Sequence, residues 1–134
     1  MMGSNDKPQD ELFYSFNLED MVPEDHLLRH IDRFLDFSDL REHLAPYYSH
    51  TGRPSIDPEL MIRMLLIGYC LGIRSDRLLC EEVKLNLAYR WFCKLKISDP
   101  VPDHSTFFMA KIPTRMTRHI FVTIEIEIDS LWRS

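Results

Sequence analysis

The sequence predicts an all-α fold: a small multi-helix domain with a helix-turn-helix-like helix pair, followed by an irregular or β-prone C-terminal tail. Three observations carry this expectation. An apolar segment from Leu60 to Ile73 contains a single charged residue, Arg63, and has the length of a core helix. Helix-start signals lie close together at Asp57-Pro58, Ser75 and Asn86. After Phe107 the periodicity changes to strict two-residue alternation. With 134 residues, 45 % of them hydrophobic, the chain can bury one real core.

The elements follow in order. Residues 1–12 are polar and expected to be flexible. A first amphipathic helix follows Pro23, with Leu27, Leu28, Ile31, Phe34 and Leu35 on one face and Arg29, Asp32, Arg33 and Asp36 mostly on the other. Ser38 can cap a short second helix that Pro46 ends. Asp57 offers a side-chain acceptor to the first helical amides and Pro58 lacks an amide, so a helix should run from there to about Leu71 as the spine of the domain. Gly72 is placed to stop it. Ser75 caps a helix to about Lys84 that buries Leu79 and Val83. Asn86 caps another, Leu87–Leu95, with Ala88, Trp91, Phe92 and Leu95 inward and Arg90 and Lys94 on the far side. Two short helices joined this tightly suggest a helix-turn-helix arrangement. Asp103 or Ser105 would cap a last helix near Thr106. In the tail, Val122, Ile124, Ile126 and Ile128 alternate with Thr123, Glu125, Glu127 and Asp129, which reads as a strand without a partner.

Net charge is −5, which opposes nucleic-acid binding by the chain as a whole. Its distribution does not. From Arg74 to Lys96 six basic residues outweigh three acidic ones, a local charge of +3. Cys70, Cys80 and Cys93 are odd in number, form no CxxC pair and sit in apolar helical patterns, so free buried thiols in a reducing cytoplasm are expected. The N-terminus lacks a secretory pattern, and Leu60–Ile73 is too short to cross a bilayer. Six scattered histidines have no metal-ligand spacing.

Three stretches, taken together, resemble the N-terminal domain of bacterial insertion-sequence transposases of the DDE, RNase H-like kind. They are Met21-Val-Pro-Glu-Asp-His-Leu-Leu-Arg-His-Ile; Gly52-Arg-Pro with Asp57-Pro58-Glu-Leu; and Arg74-Ser-Asp-Arg, Asn86-Leu-Ala-Tyr-Arg-Trp-Phe and Pro102-Asp-His-Ser-Thr-Phe. The resemblance covers residues 13–107, and 108–134 form an atypical tail. In the family Asp-His-Ser-Thr-Phe continues into a basic helical stretch and then a catalytic domain. Here Phe108-Met-Ala-Lys-Ile-Pro departs at once and no catalytic carboxylate can be placed, as a frameshift or rearrangement near residue 107 would produce.

The resemblance implies a DNA-binding domain that recognises element ends, the terminal inverted repeats. Candidate contacts are Arg53, Arg74, Arg77, Lys84, Arg90 and Lys94 to phosphates, with Ser105 and Thr106 opening a groove-reading helix. No catalytic, cofactor or metal residue is assigned; a divalent metal is expected only in the catalytic domain. Asp103 beside His104 and Ser105 reads as a helix cap, and adjacent residues seldom meet as nucleophile and base. Expected partners are DNA and a second copy or an intact transposase, with no membrane. The alternatives are an oligomerisation module built on the spine helix, and a truncated regulator or non-functional remnant.

Overall fold

A computed structural model describes residues 3, 17–35, 37, 56–110 and 114–133. The expected flexible N-terminus apart from residue 3, the helix proposed from Ser38 and the Gly-Arg-Pro motif holding Arg53 lie outside them. The described residues form seven α-helices and no strand: α1 Leu18–Met21, α2 Leu27–Phe34, α3 Pro58–Cys70, α4 Asp76–Leu85, α5 Leu87–Phe92, α6 His104–Ala110 and α7 Thr114–Arg133.

Helix α3 is the spine. Asp57 caps it by accepting the Glu59 amide at 2.9 Å, and Pro58 follows in the first turn. Met61, Ile62, Met64, Leu66 and Ile67 are all at most 1 % exposed, so most of its apolar surface is buried inside the chain. The helix stops in a Schellman turn. The Ile73 amide donates to the Gly68 carbonyl at 2.9 Å, and Gly72 takes the left-handed conformation, φ +72°, that an L side chain resists. Gly68 also admits α4: a Cβ there would meet Leu79 Cδ2 at 3.3 Å and the Ile73 carbonyl at 3.2 Å.

Ser75 caps α4 by accepting the Leu78 amide at 3.2 Å, and Leu79, Cys80 and Val83 turn inward. Helix α2 begins at Leu27, four residues beyond Pro23, with His26 as its cap: the imidazole Nδ1 accepts the Leu28 amide at 3.1 Å. The short α1 was not anticipated. Arg29 ties it to α2, donating to the Glu19 carboxylate and to the Glu19, Val22 and Pro23 carbonyls. Phe92 of α5 and Phe107 of α6 complete a core shared with Leu28 and Ile31.

Two expectations are corrected. Residues 114–133 are helical, not β-prone. The alternation that suggested a strand overlies a second period, Phe121, Ile124, Ile128 and Leu131, at helical spacing. Ile124 is 1 % exposed, Phe121 and Ile128 pack on the core, α7 lies against α2, and Phe121 meets Tyr69 edge-to-face at 5.2 Å. That burial, unavailable to a lone strand, decides the conformation. Arg63, which appeared to interrupt an apolar run, is itself buried. Its Nη1 donates to Asp32 Oδ1 at 2.7 Å and to the Phe92 carbonyl at 2.9 Å, and the guanidinium lies about 5 Å from the Phe37 and Phe92 ring centres. One guanidinium thus joins α2, α3 and α5.

Candidate nucleic-acid interface

Of the candidate contact residues, Lys84, Arg90 and Lys94 lie around the corner between α4 and α5. Asn86 is at once the last-turn cap of α4 and the N-cap of α5, accepting the Ala88 amide at 2.9 Å and the Tyr89 amide at 3.3 Å. The helices therefore meet across one residue, not across the three- or four-residue turn of a helix-turn-helix.

Arg90 overturns its expected place on the outer face. It is 7 % exposed and faces inward. Its Nε donates to the Lys84 carbonyl at 2.7 Å, and Nη1 to the Lys96 carbonyl at 2.7 Å and the Asp99 carbonyl at 3.1 Å. A guanidinium enclosed by three carbonyls cannot reach a phosphate while the corner stays folded. Its consequence is indirect: one side chain holds the backbone of exposed Lys84 next to that of exposed Lys96. Lys96 was not among the residues singled out from sequence, because the link that sets it beside Lys84 runs through a buried arginine.

Lys94 has the other unusual position. It is the C′ residue of a Schellman turn closing α5 at Phe92, short of the expected Leu95. The Leu95 amide donates to the Arg90 carbonyl at 2.9 Å and the Lys94 amide to the Trp91 carbonyl at 3.1 Å. Its φ is +61°, a conformation that costs a non-glycine residue roughly 1–2 kcal/mol. The side chain remains exposed, 3.5 Å from Asp32 Oδ2 and 5.3 Å from the Trp91 ring centre. Lys94 and Lys96 line a groove of about 580 Å³ together with Asn17, Leu18, Glu19, Trp91, Leu95 and Ile97. Trp91 is the floor rather than a free stacking platform. Arg29 lies 4.5 Å from its ring centre and its indole N–H donates to Glu19. Arg29, followed by that indole, holds the Glu19 carboxyl below the ordinary carboxylate range.

A second cluster lies at the start of α4. Arg74 and Arg77 are exposed there, and α6 packs against the same helix. Ser105 and Thr106 are exposed in the first turn of α6. Of the two expected caps, Asp103 and Ser105, it is Asp103 whose Oδ1 accepts the Thr106 amide at 2.7 Å. The Thr106 amide and hydroxyl hold the Asp103 carboxyl below its usual range, so this helix start already carries an anion. Burial, then the Asp76 and Asp103 carboxylates of the two helix starts, raise the Cys80 thiol. Helix α4, ten residues and about 15 Å long, separates this cluster from Lys84.

All three cysteines are free, Cys80 and Cys93 buried and Cys70 half-buried. Burial pushes Cys70 and Cys80 up to about 11 and Cys93 up to about 12, from an ordinary 9.0. Raised folded values mean that the stability from keeping these thiols neutral is complete below pH 9. It is lost as pH climbs through the folded values. A disulfide reagent at neutral pH should label Cys70 slowly and reach Cys80 and Cys93 only in denaturant; rapid labelling of all three in the native chain would contradict their burial. Among the described residues no group of three or more His, Cys, Asp or Glu side chains could hold a metal ion, and no helix is long and apolar enough to cross a membrane.

Compared with protein families, residues 16–110 match the model described as "Transposase domain (DUF772)", well over half of the chain. Comparisons with curated proteins and with solved structures found no significant match.

Proposed function

The chain belongs to the transposase domain family DUF772, and from that premise we propose that it binds DNA, recognising the ends of a mobile element as the N-terminal part of an insertion-sequence transposase of the DDE kind. The observation that supports this most is the set of exposed cations on and beside α4 and α5: Arg74, Arg77, Lys84, Lys94 and Lys96. In a chain of net charge −5 such a concentration gives a local attraction for phosphates that the whole does not. Arg90 holds the Lys84 and Lys96 segments, and Lys94 keeps a strained backbone where glycine would fit better. Strain of that kind invites a functional reading of its side chain.

In this reading the cations contact phosphates and set the register. Helix α6, packed on α4, is the element presented to a groove, with Ser105 and Thr106 at its start. The chain contributes binding and no catalytic group; strand cleavage and its divalent metals belong to carboxylates of a separate catalytic domain.

Lys94→Gly tests the assignment of Lys94 apart from stability. The substitution relieves about 1 kcal/mol of backbone strain and removes an exposed ion pair worth about the same or less, so the melting temperature should hardly move. Binding to a labelled element-end duplex at low salt should weaken several-fold. Unchanged affinity would remove Lys94 from the interface. Failure of the wild-type chain to bind either the end duplex or a scrambled one would remove the proposal.

A further inference from the structure

Helix α7 has two faces, and α2 and the core use only one. At 100° per residue Phe121, Ile124, Ile128 and Leu131 fall together, and the first three of them pack into the core. On the opposite side are Val122, 43 % exposed, and Ile126, 63 % exposed, one turn apart. Trp132, 77 % exposed near the end of the helix, falls closer to the direction of Phe121 and is not part of that outer pair. Apolar side chains set at helical spacing on an outer face are the pattern of a helix–helix contact.

The charges on this helix are unevenly placed along it. No acidic residue occupies the first turn, the first third carries Arg115 and Arg118, and Arg133 stands in the last turn. Glu125, Glu127 and Asp129 come in the second half, before that last turn. A neighbouring helix running the other way would set its acidic half beside the basic first third. A copy of α7 laid antiparallel has the required charge order: with the two-fold axis near residue 124, Val122 faces Ile126 of the second copy, and Arg118 comes beside its Asp129. Asp129 already holds Arg133 at 3.1 Å within the helix, with both side chains more than half exposed.

We propose that the outer face of α7 is a self-association surface, on which two copies of the chain pair through antiparallel α7 helices. The pairing is isologous and closes on itself as a dimer. It needs no DNA and does not depend on the binding role above. A 20-residue helix is about 30 Å long, and one such contact falls short of the roughly 800 Å² per partner of a standard stable interface. The dimer should therefore be weak, forming in the micromolar range.

Sedimentation equilibrium of the full chain without DNA tests this. The expected result is a mass that rises from 16.0 kDa toward twice that value with concentration. Ile126→Glu, at an exposed position, should return the chain to a monomer with its circular dichroism unchanged. Arg118→Asp alone and Asp129→Arg alone should each weaken the dimer, and the two together should restore it. A monomer throughout the micromolar range overturns the proposal. So does a dimer indifferent to Ile126→Glu. A charge-swapped pair no better than either single variant overturns the antiparallel arrangement.

Discussion

Replacing Arg90 by alanine is expected to cost about 3 kcal/mol of folding stability, since three carbonyls lose a charged donor at roughly 1 kcal/mol or more each. The Lys84, Lys96 and Asp99 carbonyls lie within nine residues of Arg90 and have only its guanidinium in common. Lysine is a poor replacement, because an ammonium cannot span acceptors that a planar fork satisfies in two directions. Arg90→Lys should recover less than half of the loss. Urea unfolding monitored by circular dichroism provides the check: the midpoint should fall while the slope stays constant. An alanine variant within about 0.5 kcal/mol of wild type, the usual span for surface substitutions, would put the guanidinium in solvent and return Arg90 to the list of DNA contacts.

Arg63→Ala should be at least as damaging, about 3–5 kcal/mol, by the usual cost of removing one partner from a buried ion pair. Arg63 is 8 % exposed, its Nε has no hydrogen-bond partner among the described residues, and Nη1 spans Asp32 and the Phe92 carbonyl. Truncation leaves a cavity between two aromatic rings and a carboxylate that, among the described residues, has only Lys94, at 3.5 Å, to balance it. For a domain of this size the melting temperature should fall on the order of 10 °C or more. Pairing Arg63→Met with Asp32→Leu should recover much of that loss, because exchanging a buried ion pair for apolar groups of similar volume is often neutral. If the single variant melts with the wild type, the Asp32–Arg63 pair does not hold α2 to the spine.

What could be read from the sequence was whatever is decided within a few residues. Asp57, Ser75 and Asn86 cap helices through their own side chains, and Gly72 stops the spine through its own backbone. The family match over 16–110 likewise agrees with the transposase part of a resemblance carried by short motifs. What could not be read depends on what lies across the fold. Val122–Ile128 satisfies the strand and helix periods at once, and packing on α2 chooses between them. Arg90 sits beside Trp91 and Phe92 and looked like their solvent-facing neighbour. The left-handed turn at Lys94 brings the Lys96 and Asp99 carbonyls back around it. Of the proposed contacts Arg74, Arg77, Lys84 and Lys94 are exposed cations, Arg90 is structural, and Lys96 joins them through Arg90.

The central claim is that the cations of α4 and the α5 corner hold phosphates, and the salt dependence of binding tests it most directly. Fluorescence anisotropy with an element-end duplex should give an affinity that falls steeply between low and physiological salt. Each phosphate contact contributes about 0.9 to the slope of log K against log salt. Removing Arg74, Arg77, Lys84 and Lys94 together, all at exposed positions that leave the fold intact, should flatten that slope by about 3–4. A slope unchanged in the quadruple variant would contradict the account.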